Sequence, residues 1–137
     1  SSRGKLWIHN SGQGEDFDSI FTSDHNSFLE SMADADKSVI DYIGKDNLAY
    51  INVANNLSVD CDCNANPAEP EMDDIGIFAS LDPVAVDQAC VDAVVNSSDK
   101  GKSSFLARME SRNGYLTLEA ASKLGLGSRE YELIEIN

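Results

Sequence analysis

Two of the chain's three cysteines stand one residue apart, interleaved with aspartates, in the stretch SVDCDCNANP at residues 58–67. If this stretch is extended, Cys61 and Cys63 point to one side and Asp60 and Asp62 to the other. Two neighbouring thiols can chelate a soft metal, close a strained local disulfide, or sit in a turn. As metal ligands they supply only half of a tetrahedral set, and the spacing is C-x-C rather than C-x-x-C. His9 and His25 are distant in sequence and have no partner at ligand spacing. The remaining donors would have to be carboxylates, drawn from Asp73, Asp74 or Asp87, or from another part of a larger protein.

Asp87 and Asp92 interrupt the apolar run LDPVAVDQACVDAVVN at residues 81–96. A buried carboxylate requires partners, because an unpaired buried charge is expensive. Asp87 is therefore expected either to bond a neighbouring loop's backbone or to belong to a site at the strand-to-helix junction, where open α/β sheets bind ligands. In that site it could act as a base. Cys90 stands among apolar residues and reads as a small, inert core residue. The GLG at 125–127 follows a helix instead of preceding one, so it reads as a helix terminus and not as a phosphate loop. No serine-nucleophile motif, P-loop or ferredoxin-type cysteine run is present, and no complete catalytic constellation is visible.

The elements that must position these groups follow from the hydrophobic pattern. KLWIH at 5–9 reads as a short strand, followed by a loop. A helix is predicted from Ser27, where Ser27 and Glu30 have capping-box spacing, to Gly44, with Leu29, Met32, Val39, Ile40 and Ile43 recurring at helical intervals. LAYINVA at 48–54 reads as a buried strand and IGIFAS at 75–80 as a second. Asp82 is placed to cap a helix with Pro83 in its first turn, and that helix is expected to be mostly buried. Short helices are predicted at 104–110 and from Thr117 to Lys123, with YELIEI at 131–136 as a closing strand. The fold class is α/β, a small and mostly buried sheet flanked by about three helices.

The 137 residues fit a single domain, expected to be a fragment or truncated version of a longer protein. Acids outnumber bases 24 to 10, for a formal net charge of −14. Such a surface repels phosphate backbones and anionic lipid, which excludes nucleic acid and membranes as partners and leaves cations, metals or a basic protein. No apolar run approaches a membrane span. An odd number of cysteines without long-range pairing points to a reducing compartment, and so to the cytoplasm.

AYINVANNLSVDCDCNANP, DDIGIFASLDPVAVDQACVDAV and KLGLGSREYELIEI, taken in that order, resemble the C-terminal part of the family of domain of unknown function 362. The resemblance spans roughly residues 28 to 136. Its members are often labelled iron–sulfur centre proteins, and many carry a ferredoxin-like segment. The resemblance implies a redox setting, in which the domain accompanies a ferredoxin-like domain or another redox protein. The matching positions would line a shared pocket, with Cys61, Cys63, Asp73 and Asp87 as metal ligands and Asp60, Asp62, Asp74 and Asp82 as ligand-binding groups. Two departures bear on this. The ferredoxin run is absent, so an iron–sulfur cluster belongs to longer relatives and no cofactor is expected in this chain alone beyond a metal ion at the cysteine pair. The family's C-D-C-H continues here as Asn64, which removes an imidazole ligand. The alternative is a non-catalytic acidic protein-interaction module.

Overall fold

In a computed structural model, residues 2–14, 16, 18, 22–60 and 64–136 are described, and they form five helices and one two-stranded sheet. The order is α1 (Ser2–His9), α2 (His25–Ile43), a 3-10 turn (Lys45–Asn47), β1 (Tyr50–Ala54), β2 (Gly76–Ser80), α3 (Pro83–Asn96), α4 (Lys102–Ser111) and α5 (Tyr115–Lys123). The α/β class holds, with five helices in place of the about three expected to flank the sheet; the helix that the hydrophobic pattern does not predict is α1.

The strands pair antiparallel, Tyr50 opposite Ser80 and Ala54 opposite Gly76. Helix α3 packs on both strands, α5 packs on α3 and α2, and α1 packs on α2. Buried or half-buried residues alternate with exposed ones on both strands, so α3 covers one face of the sheet. The tightest core joins Ala33 of α2, Val84 of α3, and Leu118, Ala120 and Ala121 of α5, with Val91 and Leu126 packed against it. Small side chains at these contacts let the helices approach closely.

The caps explain where the helices begin and end. Asp82 accepts a hydrogen bond from the Ala85 amide at 2.9 Å, and Pro83 follows it where a missing amide costs nothing. Helix α3 buries Val84, Val86, Gln88, Ala89 and Val94, positions spread around its circumference, in keeping with the mostly buried helix its composition predicts. The cap of α2 lies three residues earlier than the capping box predicts. The carboxylate of Asp24 takes both the amide and the hydroxyl of Ser27. An ionised acceptor outcompetes a hydroxyl for orphan amides and matches the helix dipole. Helix α5 closes in a Schellman motif, with Leu126 N donating to Ala121 O and Gly125, at φ +76°, donating to Ser122 O.

Three expectations are corrected. KLWIH lies in α1 and not in a strand; five residues are too few to separate a period of 2 from one of 3.6. That helix is held by the Ser31 hydroxyl on Ile8 O and the Ser23 hydroxyl on His9 O, and His9 stacks on Phe28 at 4.7 Å. YELIEI is not a strand. Residues 131–136 run without regular structure, fastened at Tyr131, whose hydroxyl donates to Asp92 at 2.8 Å. Finally, the sheet is not mostly buried. Tyr50, Asn52 and Ala54 of β1 turn toward the helices, whereas Ile51 is 67% exposed and Val53 56%. On β2, Ile77 is 72% exposed. Strand side chains alternate, so with α3 on one face every second residue faces outward, here the branched aliphatics.

Candidate functional site

The C-D-C element sits in the long connection between β1 and β2, a span whose ends the sheet brings together. Cys61, Asp62 and Cys63 lie outside the described residues, but the two feet of their loop are tied to each other. The Ser58 hydroxyl donates to Ala68 O at 2.7 Å and accepts from the Asp60 amide. Asp60 in turn accepts from the Ala68 amide at 3.0 Å and, at 3.5 Å, from Arg108 of α4. Farther along, the Ser104 hydroxyl donates to the Glu71 carboxylate at 2.6 Å. The Glu71 backbone lies so close to Gly101 that a Cβ there would overlap it, which is why a glycine opens α4. Met72 is buried between these contacts. The loop is thus closed at its base and docked on α4.

The acids proposed as partners of the thiols occupy separate places along α3. Asp73 and Asp74 line a depression of about 600 Å³ at its C-terminal end, with Ser97, Ser98 and Asp99. Asp74 accepts from the Asn56 amide at 2.8 Å, and Asp99 accepts from the amides of Asp73 and Gly101, also at 2.8 Å. Those two amide bonds hold the Asp99 carboxyl below its ordinary value. Asp82 lies at the opposite, N-terminal end of α3, where its second carboxylate oxygen accepts from the Ser128 amide at 2.9 Å. A 14-residue helix, roughly 21 Å long, separates the two ends.

Asp87 is an exposed residue of α3, and its partner is a side chain and not loop backbone. The Asn52 amide donates to Asp87 Oδ1 at 2.6 Å and approaches the Cys90 sulfur at 3.5 Å. Partial burial pushes the Cys90 thiol up; the Asn52 contact opposes this and the Asp87 charge adds to it. A thiol held protonated is a poor nucleophile, as its apolar surroundings in sequence imply. Asp36 of α2 is raised by burial and by the charge of Asp87. Tyr50 is raised by burial and then by Asp36 and Asp82, and among the described residues its buried hydroxyl has no hydrogen-bond partner.

Asn52, Asp36 and Tyr50 are polar groups that motif reading passes over. The signal for Asp36 was available, since it stands three residues after Ala33 and four before Ile40 on the core-facing side of α2; that for Tyr50 and Asn52 was not, because packing and not composition decides which face of β1 meets the helices. Arg108 and Asp99 carried no such signal, since only the folded connection brings them to Asp60 and Asp73. The second helical acid, Asp92, accepts from Gln88 at 2.8 Å and from Tyr131. Among the described residues, no three His, Cys, Asp or Glu side chains are grouped to hold a metal ion. Nor is any described helix long and apolar enough to cross a membrane.

A family model described as Domain of unknown function (DUF362) matches residues 1–92. This chain belongs to the DUF362 family. The matched region takes in α1, α2, both strands, the C-D-C loop and the first part of α3, and it stops before α4 and α5. It also covers residues 1–27, for which the sequence alone offered no placement. No curated protein and no solved structure matches this DUF362 chain.

Proposed function

We propose that this DUF362 chain is a redox-associated domain whose C-D-C loop binds a metal ion or small ligand beside an iron–sulfur partner, itself a ferredoxin-like domain or other redox protein. The observation that carries this reading is the tied base of the loop, where Ser58 and Asp60 close on Ala68 and dock on Arg108. A pinned base lowers the entropy lost when the tip orders around a ligand. It is the device expected where two thiols must meet one bound atom. The chain has three cysteines, and Cys90 is engaged elsewhere, so a four-thiolate cluster does not fit this chain alone. Asp60 and Asp74 brace the loop, and Cys61 and Cys63 supply the donors. Thiols kept reduced for this role place the domain in the cytoplasm.

Metal analysis of protein purified under reducing conditions tests the reading. Metal is expected in the parent chain and lost from the Cys61→Ser/Cys63→Ser variant. Near-zero metal in the parent, unchanged in the variant, defeats the metal form of the proposal.

A second reading, a non-catalytic module that docks a partner, is favoured by the outward aliphatics Ile51, Val53 and Ile77 on a chain of net charge −14. An acidic docking surface loses affinity for a basic partner as salt rises, because exposed charges are screened. Association indifferent to salt would count against it.

A further inference from the structure

Among the described residues, β2 has β1 on one edge and no hydrogen-bonded strand on the other. Along that open edge runs a groove of about 580 Å³. Four consecutive β2 residues, Ile77 to Ser80, line it. Successive strand residues face opposite sides of a sheet, so lining by all four means that the groove follows the strand's edge and not one face. Ala85, Val86 and Ala89 of α3 form its floor, and residues 131–136 form its far wall. Those wall residues carry no regular structure, and among the described residues no backbone hydrogen bond ties them to β2. Two rows of unpaired backbone donors and acceptors therefore border one apolar slot. An unpaired strand edge is a ready template for another strand.

The charge of the slot selects its occupant. Its charged lining residues are Glu132 and Glu135, both acidic and both exposed. The whole chain repels a second copy of itself at net charge −14. We infer that this groove accepts an extended segment of a basic partner protein, alternating aliphatic and Lys or Arg side chains, as an added strand against β2. Main-chain bonds to β2 would give affinity, aliphatic side chains would fill the floor over Val86 and Ala89, and cations would meet Glu132 and Glu135. The inference rests on the interaction reading above and is independent of the thiol loop.

The test titrates the full chain with a labelled hexapeptide of alternating lysine and valine, against a glutamate–valine counterpart. Saturable binding of the lysine peptide alone is expected. Glu132→Lys/Glu135→Lys should weaken it about fivefold or more, two exposed charge pairs being lost and reversed. Glu30→Lys/Glu110→Lys changes net charge equally on exposed positions of α2 and α4 outside the groove, and should bind nearly as the parent does. Amide hydrogen exchange should slow at 77–80 and 131–136 on binding. Equal loss in both double variants, equal binding of both peptides, protection confined to other segments, or self-association that competes with the peptide would each overturn the inference. If the peptide fails while a natural partner still binds in a salt-sensitive way, the docking module stands and this groove is not its site.

Discussion

Replacing Asp82 by alanine probes the joint on which α3 and the C-terminal segment both depend. One carboxylate oxygen caps α3 through the Ala85 amide, and the other holds the Ser128 amide, each at 2.9 Å. Losing a side-chain N-cap costs about 1 kcal/mol. The bond to Ser128 is exposed, so its contribution is set at about 0.5–1 kcal/mol, below the usual value for a charged acceptor. The expected loss is then about 1.5–2 kcal/mol. With a urea m-value of about 1–3 kcal/mol/M, the unfolding midpoint should fall by about 1 M, followed by circular dichroism at constant m. Asp82→Asn keeps a cap of equal quality but one acceptor oxygen instead of two, and should lose roughly half as much. Gly127 supplies a second arm. A Cβ there would overlap the Asp82 carboxylate, so Gly127→Ala should destabilise the parent but cost much less once Asp82 is alanine. A midpoint shift below about 0.2 M for Asp82→Ala, or strictly additive effects of the two substitutions, would refute the reasoning.

Four other outcomes follow from the structure. Asp36 is raised, so the folded state holds its proton more tightly than the unfolded one. The resulting penalty is absent at low pH and develops as pH rises through the folded value, so Asp36→Asn should raise the melting temperature at pH 7 and lose that advantage toward about pH 4. Asp24 is lowered, chiefly by the Ser27 amide, so its stabilisation is present above the ordinary carboxylate range and lost as pH falls through its folded value; Asp24→Asn should flatten the acid limb of the stability curve, read by thermal melts below about pH 4. In a Cys61→Ser/Cys63→Ser background, alkylation of Cys90 should be slower than for a free thiol at pH 8, with its pH midpoint displaced upward; a rate matching a model thiol would remove the claim that this group is held protonated. Val84, 1% exposed at the centre of the core, should cost about 2 kcal/mol as alanine by urea unfolding.

The parts of the fold that local chemistry dictates were readable without coordinates. Asp82 with Pro83 announced α3, Gly44 ended α2, and Gly125 ended α5, because each answers to its own few neighbours. The two strands were readable as β-rich runs, but their burial was not. YINVA looks like an inward strand until the side chain that meets α3 proves to be Asn52, bonded to Asp87, while Ile51 and Val53 face away. Which face a helix covers is decided by tertiary packing, and composition does not carry it. YELIEI has strand composition too, yet Tyr131 is fastened to Asp92 instead of entering a ladder. For the candidate site, the motif itself and the helix-capping acid were legible. The separation of Asp82 from Asp73 and Asp74 by the length of α3 was not, since nothing local records that the connection returns to the helix's far end.

The clasp of Ser58 and Asp60 on Ala68 divides the β1–β2 connection into parts with different freedom to vary. Inside a closed ring, lengthening the segment is penalised only logarithmically, about 0.6 kcal/mol per doubling. A few positions gained or lost between Asp60 and Ala68, or Asn64 exchanged for another donor, therefore leave the clasp's own bonds in place. The clasp residues and Gly101, pressed against the Glu71 backbone, have no such latitude. A scaffold arranged this way can be re-equipped at its tip while its foundation stays fixed.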